Sequence, residues 1–116
     1  MKNNYSDKLS KWLKDEGYTH CFFIAGGNIM HILNSLRKDF VMIPFVHEAA
    51  TTMACEYFNL TAKKKNLSGK AFCLVTAGPG VTNAMTGVAG SHIESRELLI
   101  IGGQVKTSDL SRGLRQ

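Results

Sequence analysis

Leu9, Trp12 and Leu13 recur at helical spacing with polar residues between them. This pattern predicts an amphipathic first helix, capped by Ser6 and closed by Gly17. The pattern then changes. Thr19 to Ala25 (Thr-His-Cys-Phe-Phe-Ile-Ala) is a short apolar run, suited to a strand buried on both faces. Gly26-Gly27-Asn28 reads as a tight turn, after which Ile29, Ile32, Leu33 and Leu36 restore helical spacing up to Arg37-Lys38. Phe40 to Val46 predicts a second strand, in which Pro44 lacks an amide donor and so suits a sheet edge or a strand end. His47 to about Lys64 predicts a longer helix, Asn66 to Gly69 a loop, and Lys70 to Thr76 a third strand. Ala77-Gly78-Pro79-Gly80 reads as a turn, Val81 to about Glu94 as a helix with several small residues, and Glu97 to Ile101 as a fourth strand ending at Gly102-Gly103. From Gln104 to Gln116 the chain is polar and shows no period.

A helix, three strand–helix pairs and a last strand imply right-handed crossovers and a parallel sheet. The expected fold class is therefore α/β, a three-layer α/β/α domain. In such sheets ligands bind outside the carboxyl ends of the strands. That rule selects Ala25–Asn28, His47–Glu48, Thr76–Asn83 and Gly102–Gln104, where the Gly-rich turns and a His-Glu pair fall.

Composition narrows the picture further. With 116 residues, 44% of them apolar and 20% charged, the chain is a single globular domain with a modest core. The net charge is +5, but the lysines are dispersed apart from Lys63-Lys64-Lys65 and a lysine-rich first helix. No aromatic–basic interleaving accompanies them, so a solvated surface is expected and no nucleic-acid partner. Cys21, Cys55 and Cys73 stand alone in apolar stretches without C-x-x-C spacing, as expected of buried thiols in a reducing, cytoplasmic setting. No signal-peptide core and no membrane span is visible. Met30, Met42, Met53 and Met85 fall at spacings expected of core fillers. His20, His31, His92, Ser91 and Ser95 lack partners spaced for metal or nucleophilic chemistry, and no metal site is expected.

Two motifs carry candidate chemistry. Gly78-Pro79-Gly80-Val81-Thr82-Asn83 is a glycine turn between a strand and a helix, where a ligand can approach backbone amides. It differs from the dinucleotide fingerprint at Asn83, and the acid that fingerprint requires is matched only by Glu97, at the wrong end of its strand. His47-Glu48 ends the second strand and opens a helix, with apolar Ile43, Phe45 and Val46 nearby. A carboxyl in an apolar setting can hold a proton and act as an acid.

Four segments occur together in order: Gly17 to Asn28, Val46-His47-Glu48-Ala49-Ala50, Leu74 to Asn83, and Ile101-Gly102-Gly103-Gln104-Val105. In this combination the chain resembles the N-terminal pyrimidine-binding (Pyr) domain of thiamine-diphosphate-dependent enzymes, in the acetolactate synthase and 2-oxo acid decarboxylase branch. The resemblance implies thiamine diphosphate as cofactor and a 2-oxo acid such as pyruvate as substrate. It assigns Glu48 as the catalytic glutamate that shares a proton with a pyrimidine ring nitrogen of the cofactor. Thr76, Gly78, Pro79, Gly80 and Asn83 would line the pyrimidine side, and Gly26, Gly27, Asn28 and Gln104 the side where substrate approaches.

The resemblance further implies a homodimer or tetramer, and magnesium held by a diphosphate-binding domain absent from this chain. Residues 1–116 are then expected to be a Pyr domain incomplete at its C-terminus, truncated after the fourth strand. Such a domain should expose apolar surface, self-associate and be inactive alone. Ala25 departs from the proline usual before the glycine pair, which puts substrate positioning by that loop in question. A non-catalytic interaction or regulatory domain that retains the fold, and a nucleotide-binding α/β domain, are the alternatives.

Overall fold

A computed structural model of the chain describes residues 4–110. Its elements are α1 (Tyr5–Asp15), β1 (His20–Phe23), a 3-10 turn at Gly27–Ile29, α2 (Met30–Leu36), β2 (Val41–Pro44), α3 (Glu48–Lys64), β3 (Ala71–Val75), α4 (Pro79–Ile93), β4 (Ile100–Gly102) and a 3-10 turn at Thr107–Asp109. The four strands form one parallel sheet in the order β2-β1-β3-β4. The α/β class and the parallel sheet match the expectation from the hydrophobic pattern.

Position in the sheet follows side-chain character. β3 is the run Ala-Phe-Cys-Leu-Val, and all five residues are buried, as a central strand covered on both faces requires. Its alternate residues serve two cores. Phe72 and Leu74 join Leu13, Cys21, Ile29, Leu36 and Phe40 beneath α1 and α2. Ala71 and Cys73 join Phe22 and Cys55 beneath α3. Pro44 closes the edge strand β2, opposite Phe23 of β1, where its missing donor does no harm.

The strands are shorter than the apolar runs that announce them. Beyond their ends the ladder continues through further backbone bonds, among them Phe45 N–H to the Phe23 carbonyl at 2.9 Å, Cys73 N–H to the Leu99 carbonyl at 2.9 Å and Gly103 N–H to the Val75 carbonyl at 2.8 Å. The α4 helix starts two residues earlier than expected, because Pro79 takes the first helical position, where its missing N–H costs nothing.

Three expectations are overturned. Ser6 does not cap α1; it lies inside the helix and is buried, while Asn4 is the N-cap through its backbone carbonyl. The buried stripe of α1 is Ser6, Ser10 and Leu13, whereas Trp12 is 53% exposed against Tyr5. Ser10 turns inward because its hydroxyl donates to Asp39 at 2.7 Å. Together with the Lys14 ammonium, it holds the Asp39 carboxyl below its usual range. The methionines also depart from expectation: Met42 packs on the core, but Met30, Met53 and Met85 are exposed on helix faces turned away from the sheet.

α1, α3 and α4 end alike. In each, the residue after the C-cap takes a positive φ (Gly17, Asn66 and Ser95), and the next N–H reaches back five residues, from Tyr18 to Leu13, Leu67 to Ala62 and Arg96 to Ser91. These closures satisfy the last carbonyls and turn the chain into the next strand.

Cys21, Cys55 and Cys73 are free and fully buried, as expected. Burial pushes the Cys21 thiol up to about 12. A hydrogen bond with Cys55, and burial, push Cys73 up as well. In the unfolded chain a thiol ionises near about 8.5. The folded state is therefore favoured fully below that value, and the advantage is lost as pH rises toward the folded one. Urea unfolding should show stability falling with pH from about 8.5 upward, with Cys21 alone supplying a slope of about 1.4 kcal/mol per pH unit. Cys21→Ala should flatten that slope, and an unchanged slope would contradict the assignment.

Candidate functional site

The chain leaves β1 toward β2 through α2 on one face, and leaves β3 toward β4 through α4 on the other. The direction of winding therefore reverses between β1 and β3. A crevice opens at such a point outside the carboxyl ends of the two strands.

Gly26, just past β1, forms one wall. A Cβ there would lie 2.5 Å from the Cβ of Thr76, so only glycine lets the turn after β1 pass so close to the residue that ends β3. Gly78 then turns the chain with φ +65, and its carbonyl accepts from the N–H groups of Val81 and Thr82 to start α4. A Cβ on Gly80 would meet Thr76 Cγ2 at 3.0 Å and Glu48 Oε1 at 3.7 Å. The first turn of α4 thus lies beside the first residue of α3.

Glu48 is held there by its own helix end. The His47 imidazole caps α3, its Nδ1 accepting from Ala49 N–H at 3.1 Å. Thr51 and Thr52 donate to the carbonyls of His47 and Glu48 at 2.9 and 3.1 Å. The Glu48 carboxylate is half-buried, and Asn83 Nδ2 donates to its Oε2 at 3.2 Å. A carboxylate at this position also gains from the helix dipole.

The structure therefore brings together Gly26, Thr76, Gly80, Glu48 and Asn83, with Gly78 and the exposed Pro79 in the connecting turn. Gly27 and Asn28 are exposed at the start of the 3-10 turn, and Asn28 O lies 3.5 Å from where a Cβ of Gly103 would stand. Gln104 is exposed, and its Oε1 accepts from the adjacent Val105 N–H at 3.0 Å, so its side chain turns back on its own backbone. Val46, expected among the apolar residues beside Glu48, is instead 98% exposed, while Ile43 and Phe45 are partly buried. Two contributions went unread in the sequence, the His47 cap and the contact of Gly87 with Thr52. Their signal was spacing: Thr52 follows Glu48 by four residues, and Gly87 follows Asn83 by four.

The opposite edge of the sheet is charged. Glu97 pairs with Lys70 at the foot of β3 at 3.0 Å, far from the glycine turns. A groove of about 360 Å³ there is lined by Glu56, Lys63, Lys70 and Arg96 among others, with Arg96 paired to Glu56 at 2.9 Å. Among the described residues, no three His, Cys, Asp or Glu side chains come together to hold a metal, and no helix is long and apolar enough to cross a membrane.

The chain is thus a parallel α/β domain in which two glycine turns and one glutamate at a helix start meet at the switch point of the sheet, the place where ligands bind in this class of fold. The model of the family described as "Thiamine pyrophosphate enzyme, N-terminal TPP binding domain" matches residues 3–116, and the chain belongs to that family. It is 35% identical over 107 residues to the acetolactate synthase large subunit of Buchnera aphidicola subsp. Acyrthosiphon pisum, covering 89% of this chain and 18% of that protein. It is 34% identical over 113 residues to the catabolic acetolactate synthase of Raoultella terrigena, covering 96% of this chain and 19% of that protein. A 2-hydroxyacyl-CoA lyase 2 of Danio rerio is 32% identical over 111 residues, covering 95% of this chain and 17% of that protein. The chain thus spans under a fifth of the length of these relatives.

The contact of Gly26 with Thr76 can be tested directly. Gly26→Ala should destabilise the fold by about 1–3 kcal/mol in urea unfolding, the usual cost of overpacking. Unchanged stability would contradict the close approach.

Proposed function

We propose that this domain holds the aminopyrimidine end of thiamine diphosphate in the crevice between β1 and β3. It does so as part of an enzyme that decarboxylates or ligates 2-oxo acids such as pyruvate, in the manner of the acetolactate synthases. The observation that carries the reading is the Glu48 carboxylate, set beside the glycine wall with Oε2 bonded to Asn83, while Oε1 has no hydrogen-bond partner among the described residues. The residues fit the group: Gly26 and Gly80 let the turn after β1 and the start of α4 close on Thr76 beside Glu48, and Oε1 is free to meet a ring nitrogen.

When bound, thiamine diphosphate supplies a carbon nucleophile and an electron sink for loss of carbon dioxide. Glu48 is the catalytic residue, exchanging a proton with the ring nitrogen through Oε1. Thr76, Gly78, Pro79 and Gly80 line the pyrimidine side with Asn83. Gly26, Gly27, Asn28 and Gln104 form the rim facing the 2-oxo acid. Magnesium and the diphosphate are held by a second domain outside this sequence, so residues 1–116 are one Pyr domain of a longer subunit and inactive alone. Met53, Tyr57, Val81 and Met85, exposed on α3 and α4, form the apolar face through which two copies pair as a homodimer or tetramer. Three buried free thiols fit a cytoplasmic protein.

Thiamine diphosphate titrated calorimetrically into the natural protein that carries this sequence, with carbon dioxide release from pyruvate in parallel, tests the reading. Wild type should bind and turn over. Glu48→Gln should keep its fold and lose about a hundredfold or more in turnover, the scale of a lost general acid–base group. A wild-type protein without affinity overturns the proposed cofactor, and equal turnover by both proteins removes the role of Glu48.

A further inference from the structure

α3 and α4 lie side by side with matched rungs four residues apart. The top rung is Asn83 on Glu48, at 3.2 Å. One turn down, a Cβ on Gly87 would lie 2.6 Å from the Cβ of Thr52. Thr52 cannot rotate away, because its hydroxyl donates to the carbonyls of Glu48 and Ala49 at 3.1 and 3.0 Å. At the third rung Ser91 donates to the Arg96 carbonyl at 2.9 Å, and the Arg96 guanidinium pairs with the buried Glu56 at 2.9 Å. The two lower rungs fix how far α4 stands from α3, and so fix the reach of Asn83.

Asn83 does not brace its own turn. Thr82 does that, donating to the Pro79 carbonyl at 3.3 Å. The Asn83 amide instead crosses to the neighbouring helix, where its Nδ2 donates to Glu48 Oε2. A glutamate at the first position of a helix otherwise swings about three side-chain torsions. One N–H donor on one oxygen removes that freedom and leaves the other oxygen facing the crevice.

We infer that Asn83 is a positioning residue for Glu48: it holds Oε2, aims Oε1 at the ligand ring, and is set at that distance by the close packing of Gly87 on Thr52. The inference rests on the function proposed for Glu48 above. Because the Asn83 hydrogen bond serves proton exchange through Glu48, its loss should lower turnover only while Glu48 can exchange a proton.

A double-mutant cycle in the natural protein tests this, with cofactor affinity read by calorimetry beside turnover of pyruvate. Asn83→Ala should lower kcat by about 10- to 100-fold, the worth of one hydrogen bond to a charged group, with cofactor affinity changed by only about threefold. Glu48→Gln with Asn83→Ala should turn over no more slowly than Glu48→Gln alone, since the pair acts as a unit. Asn83→Asp is isosteric but sets an acceptor against the carboxylate, so it should move the acidic limb of the kcat profile to higher pH, because neighbouring carboxylates resist sharing negative charge. Additive losses in the cycle, or an Asn83→Asp profile that coincides with wild type, would overturn the inference. A wild type that fails to bind thiamine diphosphate would instead overturn the function on which it rests.

Discussion

Thr76 is approached by two backbones, from Gly26 after β1 at a distance no side chain would allow, and from Gly80 in the first turn of α4 at a distance that leaves a side chain little room. That crowding at the end of the central strand is what the rest of the site depends on. It closes the turn after β1 onto β3, draws the start of α4 inward, and so places Asn83 within reach of Glu48. Adding a methyl group at Gly26 forces one of the two segments to shift, because close-packed interiors transmit strain rather than absorb it.

The two edges of the sheet divide the labour. At the amino ends, three helix closures with positive φ, the Arg96–Glu56 pair and the Lys70–Glu97 pair anchor the entries to β1, β3 and β4. Lys70 also lies over the Tyr18 ring at 4.3 Å and Arg96 over Tyr57 at 5.0 Å, so charge and aromatic surface interlock there. At the carboxyl ends the chain leaves backbone, a half-buried carboxylate and open space. A rigid foot and an open rim together allow the function proposed for the carboxyl edge without loosening the core.

The architecture was legible because its signals are local. The strands lie in apolar runs, the long helices follow their periodicity, and Pro44 marks an edge. Glu48 and the Gly78–Gly80 turn were legible for the same reason: each sits where a strand hands over to a helix. What failed was long-range. Ser10 faces inward because Asp39, distant in sequence, needs a donor, and so Trp12 rotates out. Met53 and Met85 share helical spacing with core residues, yet α3 and α4 turn those faces away from the sheet. The role of Gly87 is likewise invisible without Thr52 opposite it. Helical period reports that a face exists, not which layer covers it.

The most direct test of the central claim is residue-level mapping of the ligand on the chain itself. Backbone amide NMR spectra recorded as thiamine diphosphate is added would read every crevice residue at once. The account predicts shifts concentrated at Gly26, Glu48, Thr76, Gly78, Gly80 and the Asn83 side-chain amide, with Gly69, Ser95 and Arg96 at the opposite edge undisturbed. Shifts confined to that opposite edge, or none at the crevice at saturating ligand, would contradict it.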